Sequence, residues 1–148
     1  MAKRMVIFDI DGTLADNEHR VHHLKGETKD WEAFFADQHL DTVRKDVARV
    51  FSLYASDLDM YIAVLTGRGE EYREVTERWL DKNGLLPNTL TMRPAGNRTN
   101  DDILKMEAIK SWQEEGYEIV GFYDDRKRIC DAVRTHGITV FQMAAGDF

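Results

Sequence analysis

Five short runs with strand character, separated by stretches patterned like helices, leave this chain few folds to choose from. The runs are Arg4–Asp9, Met60–Leu65, Thr89–Met92, Glu118–Tyr123 and Ile138–Gln142. Met5-Val6-Ile7-Phe8, at the heart of the first run, is apolar without alternation, as a strand buried on both faces must be. Between the runs, apolar residues recur at helical spacing. Val43, Val47, Val50, Phe51 and Tyr54 form one such face, with Asp41 or Thr42 as its N-cap. Tyr72, Val75, Trp79 and Leu80 form the next, stopped by Gly84. Leu104, Ala108 and Trp112 follow an Asn100 cap, and Ile129, Ala132 and Val133 precede a stop at Gly137. Strands that alternate with amphipathic helices build a parallel sheet covered on both faces. The expected class is therefore α/β: a three-layer Rossmann-like fold with a five-stranded parallel sheet in the order 3-2-1-4-5.

The stretch of about 16–58 departs from this rhythm and is expected to be a short helical insert after the first strand. Its first part, Asp16–Lys29, is polar and carries His19, Arg20, His22, His23 and Lys25. Asp30–Ala36 reads as a short helix with Trp31, Phe34 and Phe35 on one side, more a core contribution than a platform for stacking. At 148 residues, the whole of 1–148 fits one domain. The single cysteine, Cys130, rules out an intramolecular disulfide and reads as helix packing. No apolar run reaches the roughly 20 residues that span a bilayer. The N-terminus runs directly into the first strand, so no signal peptide, no membrane partner and a cytoplasmic location are expected. A net charge of −7 argues against broad duplex binding, though a few arginines could still grip a phosphorylated end.

The chemistry gathers where strands end. Asp9 and Asp11 flank Ile10 as the first strand finishes, so in extended chain they look into one space, and Gly12 permits the turn that follows. The second strand runs into Thr66-Gly67-Arg68, and the fourth ends in Asp124-Asp125. In an open parallel sheet these carboxyl ends share one edge, the usual place for a ligand. Lys105, one turn into the helix after the third strand, can face the same edge. Each group alone has an ordinary reading: a helix cap for Asp124 or Asp125, a plain turn for Thr66-Gly67, a solvated side chain for Lys105. Together they suit Mg²⁺ and phosphate chemistry, with carboxylates to hold the ion and a lysine to neutralise phosphate charge.

These residues resemble the haloacid-dehalogenase-like phosphohydrolases. Asp9–Leu14 matches their Asp-x-Asp-Gly-Thr-Leu motif without departure, and Thr66, Lys105 and Asp124-Asp125 match the later motifs in order. A closer resemblance, over most of the chain, is to the 3′-phosphatase domain of phage polynucleotide kinase. It rests on Gly67-Arg68, on Asp101-Asp102 with Lys105, on Asp124-Asp125-Arg126, on Arg20, and on an Ala144–Phe148 end. The resemblance implies a Mg²⁺-dependent phosphomonoesterase that acts through an aspartyl-phosphate, with a phosphorylated polynucleotide end or nucleotide as substrate. Asp9 would attack phosphorus, and Asp11 would give and then take the proton, which calls for a raised pKa. The metal would be held by Asp9, the Asp11 main-chain carbonyl, and Asp124 or Asp125. Thr66 and Lys105 would steady the phosphate, Asp101 would orient Lys105, and Arg20, Gly67 and Arg68 would bind the leaving group.

Other functions share parts of this pattern. A 5′-(deoxy)nucleotidase or small-molecule acid phosphatase would use the same chemistry. A phospho-accepting signalling domain also clusters aspartates, a threonine and a lysine around Mg²⁺, although it has no use for a second aspartate as acid. No Gly-rich phosphate loop occurs, so no kinase half is expected in these residues. The insert is too short for a large cap, which favours an open site. The region Glu18–Asp41 matches the resemblance poorly.

Overall fold

In a computed structural model, which describes residues 3–146, the expected sheet is present. Its strands are β1 (Lys3–Phe8), β4 (Met60–Gly69), β5 (Thr89–Arg93), β6 (Tyr117–Arg126) and β7 (Val140–Gly146). Their order is β5-β4-β1-β6-β7, all parallel, which is the expected 3-2-1-4-5. β1 lies in the middle, and Met5, Val6, Ile7 and Phe8 are fully buried, which is why this run shows no polar alternation.

Alternate β1 side chains serve two cores. Val6 and Phe8 pack with Val47 and Phe51 of α3 (Lys45–Ala55) and Trp79 and Leu80 of α4 (Arg73–Lys82). Met5 and Ile7 pack on the other face with Ile109 of α5 (Asp101–Glu114) and Ile129 and Val133 of α6 (Lys127–Thr135). The result is the three-layer arrangement, two helices on each face. α4 stops where Gly84 takes φ +70°: the Gly84 amide bonds the Asp81 carbonyl at 3.0 Å and the Leu85 amide the Leu80 carbonyl at 2.9 Å.

Ahead of α3, the expected insert consists of small pieces: β2 (Ala15–Asp16), α1 (Glu18–Val21), α2 (Trp31–Ala36) and β3 (Thr42–Val43), with 3-10 turns at His22–Leu24 and Gln38–Leu40. Here the structure corrects the expected start of the third helix. Neither Asp41 nor Thr42 caps it. Thr42 and Val43 pair antiparallel with Asp16 and Ala15, and α3 begins only at Lys45. Strand ends also shift: Thr66-Gly67-Arg68 and Asp124-Asp125 lie within β4 and β6 rather than after them, and β7 starts at Val140 rather than Ile138. Asn100 occupies the N-cap position of α5, but its side chain makes no capping bond. Of the expected Ala144–Phe148 end, Asp147 and Phe148 lie outside the described residues. Among the described residues, no helix is long and apolar enough to cross a membrane.

Candidate active site

The carboxyl edge of the sheet carries two groups of charges that meet at β1. The first is acidic. The Asp9 amide bonds the Tyr123 carbonyl at 2.9 Å, which extends the β1–β6 pairing to the residue that begins the site. Asp9, Asp124 and Asp125 are all buried, and each offers a carboxylate oxygen within 4.8 Å of the others. Lys105, 2% exposed, reaches between them: its Nζ donates to Asp9 Oδ1 at 2.9 Å and to Asp124 Oδ2 at 2.8 Å. Thr13 Oγ1 donates to Asp9 Oδ2 at 3.2 Å, and the Arg126 amide to Asp124 Oδ1 at 3.0 Å.

Three buried carboxylates against one ammonium leave negative charge in excess. Burial, then the charge of Asp124, pushes Asp9 well above the usual carboxylate range despite Lys105. The same two causes raise Asp125 to about 7. Burial works against the Lys105 charge, but Asp124 and Asp9 outweigh it and hold the lysine above its ordinary value. Asp125 Oδ1 is buried with no hydrogen-bond partner. An unsatisfied carboxylate oxygen, beside two more hard oxygen donors, is what a divalent cation would complete. Mg²⁺ therefore fits Asp9, Asp124 and Asp125. Asp11 is not in this group of carboxylates. Gly12 is required beside it twice over: its φ is +81°, and a Cβ there would stand 2.1 Å from Asp125 Oδ2.

The second group is built from arginines. Arg68 Nε and Nη2 grip Asp11 Oδ2 and Oδ1 at 3.0 and 2.8 Å, and Arg20 Nη2 reaches Asp11 Oδ1 at 2.5 Å. Arg68 Nη1 donates onward to Gln38 Oε1 and Thr76 Oγ1, and Arg20 Nη1 to the Phe34 carbonyl. The Arg20 guanidinium lies 4.2 Å over the Phe34 ring. Arg20 and Arg68, expected to bind the leaving group, are 0% and 1% exposed and hold Asp11. One expectation is corrected here. The Asp11 pKa is not raised. Burial opposes its charge, but Arg68 and then Arg20 outweigh burial and draw it down to about 2.

Asp101 accepts Arg93 Nη2 at 2.7 Å and Arg126 Nη1 at 3.0 Å; no hydrogen bond joins it to Lys105, but its charge adds to those that hold the lysine above its ordinary value. Its closeness explains Gly67, where a Cβ would meet Asp101 Oδ1 at 2.3 Å. Thr66, on β4 one strand over from Asp9, is buried; its Oγ1 accepts the Arg68 amide, which leaves the hydroxyl proton to donate. Cys130 packs behind β6, and burial pushes its thiol to about 12, so it stays protonated.

Several functional contacts escape sequence reading. Asp41, expected as a helix cap, is buried against Arg20 and His19. Gln38, Thr76 and Arg93 carry no motif. The aromatic trio divides: Phe34 is core, whereas Trp31 is 47% exposed and Phe35 leans on Tyr72 with centroids 5.0 Å apart. Among the described residues, His22 and His23 join no metal-competent group.

Comparison with known proteins follows the same lines. A family model described as the polynucleotide kinase PNKP phosphatase domain matches residues 3–148. A protein of Autographa californica nuclear polyhedrosis virus, named "Putative bifunctional polynucleotide kinase/RNA ligase", is 27% identical over 124 residues, 83% of this chain and 17% of that one. A chain in the Pnkp1/Rnl/Hen1 complex superposes with a TM-score of 0.83 at 28% identity, over 99% of this chain and 47% of its own. A haloacid dehalogenase-like hydrolase from Streptococcus pneumoniae shares the fold, with a TM-score of 0.63 at 12% identity, over 93% and 83% of the two chains. The chain thus spans less than half the length of the first two relatives.

Proposed function

The chain belongs to the polynucleotide kinase PNKP phosphatase-domain family, and from that premise we propose that it hydrolyses 3′-phosphate monoesters on polynucleotide ends or nucleotides through an aspartyl-phosphate on Asp9. The observation that carries this reading is the contrast at Asp9 and Asp11, two carboxylates two residues apart, one among acids and a lysine, the other between arginines. Such a pair has separate roles to fill.

An Asp9 oxygen forms a bond to phosphorus as the bond to the leaving 3′ oxygen breaks. Lys105, already at Asp9, offsets the charge of the incoming phosphoryl group, and the Thr66 hydroxyl donates to one of its oxygens. Asp11 serves the proton. A phosphate dianion arriving beside it opposes its ionisation and lifts it from its resting value, so it can protonate the leaving alkoxide. A water then attacks phosphorus and returns a proton to Asp11, the Asp9–phosphorus bond breaks, and inorganic phosphate leaves. Mg²⁺ would be held by Asp9, Asp124 and Asp125, with the Asp11 main-chain carbonyl, and supplies the positive charge that lets one anion approach another.

The leaving group is the finer part of the proposal. The viral relative is named for polynucleotide kinase and RNA ligase activities, and a solved neighbour lies in a Pnkp1/Rnl/Hen1 RNA repair complex. Removing a 3′-phosphate leaves the hydroxyl that a ligation step consumes, so an end-healing role in nucleic-acid repair fits this chemistry. Release of inorganic phosphate from a 3′-phosphorylated oligonucleotide, a 3′-mononucleotide, a 5′-mononucleotide and p-nitrophenyl phosphate, with Mg²⁺ and with chelator, tests it. The 3′-phosphorylated substrates should turn over fastest and only with the metal. Preference for the 5′-mononucleotide overturns the assignment of substrate, and no release from any overturns the enzyme.

A further inference from the structure

The arginines that grip Asp11 are themselves gripped, and by residues of the insert that no motif marks. Asp41 has a side chain at 0% exposure, beneath an insert whose surface is otherwise largely exposed. Its Oδ1 accepts Arg20 Nε at 2.8 Å and His19 Nε2 lies 2.7 Å from the same oxygen. Its Oδ2 accepts Arg20 Nη2 at 2.5 Å and stands 3.6 Å from Arg68 Nη2. Its main-chain carbonyl takes the Trp79 indole N–H at 2.8 Å, which ties this point of the insert to α4 and so to the body of the domain. Arg20 Nη2 is thus shared between two carboxylates, Asp11 on the site side and Asp41 behind it.

The arrangement is electrically closed. Two arginines face two aspartates, and a buried charge is tolerated when it is paired and hydrogen-bonded. It is also geometrically over-determined: Arg20 spends Nε and part of Nη2 on Asp41 and Nη1 on the Phe34 carbonyl, so its remaining direction points at Asp11. A planar guanidinium with one edge fixed cannot swing, and the carboxylate it meets on its other edge cannot either. A solvated side chain could do neither. Burying a carboxylate merely to cap a helix would be costly, and α3 starts at Lys45, beyond its reach as a cap.

We propose that Asp41 is a positioning residue for the phosphatase reaction, setting Arg20 so that the Asp11 carboxyl meets the leaving oxygen. Through it the insert after β1 governs proton delivery rather than phosphate binding. The inference rests on the 3′-phosphatase reading of the site. It adds that the reaction should become selectively dependent on leaving group when the insert's hold on Arg20 is disturbed. The proton passes from Asp11 to the leaving oxygen as the phosphorus–oxygen bond breaks. An alkoxide needs that proton, whereas p-nitrophenolate is stable without it.

The experiment compares kcat on a 3′-phosphorylated oligonucleotide and on p-nitrophenyl phosphate for the wild type, Asp41→Asn and Asp41→Glu, each with a thermal melt. Asp41→Asn should lower kcat on the oligonucleotide about 100-fold and on p-nitrophenyl phosphate less than about 3-fold, the span expected of general acid catalysis at its lower end. Asp41→Glu keeps the buried charge and moves Arg20 by the length of a methylene; the same split should appear at about 10-fold, and it carries the test if the melt shows that the amide variant does not fold. Equal losses on both substrates, or no loss on either, overturn the positioning role. A wild type inactive on both substrates would instead overturn the proposed reaction, so the two failures are distinguishable.

Discussion

Asp9 and Asp11 begin as equals: the same residue, two positions apart, at the end of one buried strand. The fold then treats them oppositely. Asp9 is drawn among Asp124, Asp125 and Lys105, where acids outnumber the base and its pKa rises well above the usual carboxylate range. Asp11 is drawn between Arg20 and Arg68, where bases surround it and its pKa falls to about 2. The acidic side is assembled from β1, β6 and α5, elements of the sheet and its helices. The arginine side is assembled from the insert and the end of β4. The lesson is that charge balance, not residue type, assigns the roles. The acidic side carries an excess that a cation would relieve, and the arginine side is already neutral and needs no ligand to be stable.

The two sides should therefore fail differently. Asp9→Asn is expected to abolish turnover, by about 10⁴-fold or more, since an amide cannot become the phosphorylated nucleophile. It should leave the melting temperature unchanged or higher, because it removes a buried charge from an acidic excess. Residual turnover at more than a percent of wild type would break the covalent scheme. Arg68→Ala should cost on both counts: about 100-fold or more in kcat with the oligonucleotide, and about 3 kcal/mol of unfolding free energy as Asp11 and Gln38 lose a buried partner. Urea unfolding measures the second. If Arg68→Ala were as stable as wild type, the arginine side would not be the structural half of the site.

pH and metal separate the sides again. Asp125 has a folded pKa raised to about 7 from 3.8, so its contribution to stability is full below 3.8 and is lost as pH rises through 7. Asp11 has a folded pKa lowered to about 2, so its contribution is present above 3.8 and is lost as pH falls through 2. Metal-free protein should then be most stable near about pH 4–5 and lose stability towards about pH 8. Added Mg²⁺ competes with the protons on the acidic side, so the rise in melting temperature it produces should be larger at about pH 8 than at about pH 5. Thermal melts in chelator and in Mg²⁺ across this range check both statements. A Mg²⁺ effect independent of pH would mean that the ion does not sit on the raised carboxylates.

The same division explains what could be read from the chain. The strands were legible because parallel strands buried on both faces are unbroken apolar runs, and Met5–Phe8 is one. The acidic side was legible because strand ends are fixed points: once the strands are located, Asp9 and Asp124 must share an edge, and Lys105 falls one turn into the helix beside it. The insert was not legible in the same way. β2 and β3 have two residues each, too few for any period, so Thr42 and Val43 read as the start of a helix. Asp41 looked like a cap because a polar residue before an apolar helical pattern usually is one. Its true partner, Arg20, lies 21 residues back, and only the folded chain brings the two together. Asp101 was legible in part for a related reason: spacing placed it near Lys105, on which its charge acts, but its hydrogen bonds go to Arg93 and Arg126 from other elements.

The smallest expected effect concerns Trp31, which lies at the solvent face of the arginine side. Trp31 is 47% exposed, its ring stands 6.0 Å from Phe35 at an interplanar angle of 25°, and Phe35 leads on to Tyr72. Phe34, its neighbour on α2, is buried against Arg20, so the helix splits its aromatics between core and surface. An exposed ring beside Phe34, which covers Arg20, is suited to stack on a base of the proposed polynucleotide substrate, and such stacking is worth about 1–3 kcal/mol. Half exposure places Trp31 near the bottom of that range. Trp31→Ala should therefore raise KM for the 3′-phosphorylated oligonucleotide by about 5-fold and leave KM for p-nitrophenyl phosphate within about 2-fold. Its kcat should hold for both, since no hydrogen bond of the Asp11 network passes through it. Equal changes in KM for the two substrates would show that the ring supports the insert rather than the substrate, and would return α2 wholly to the structural side of the comparison.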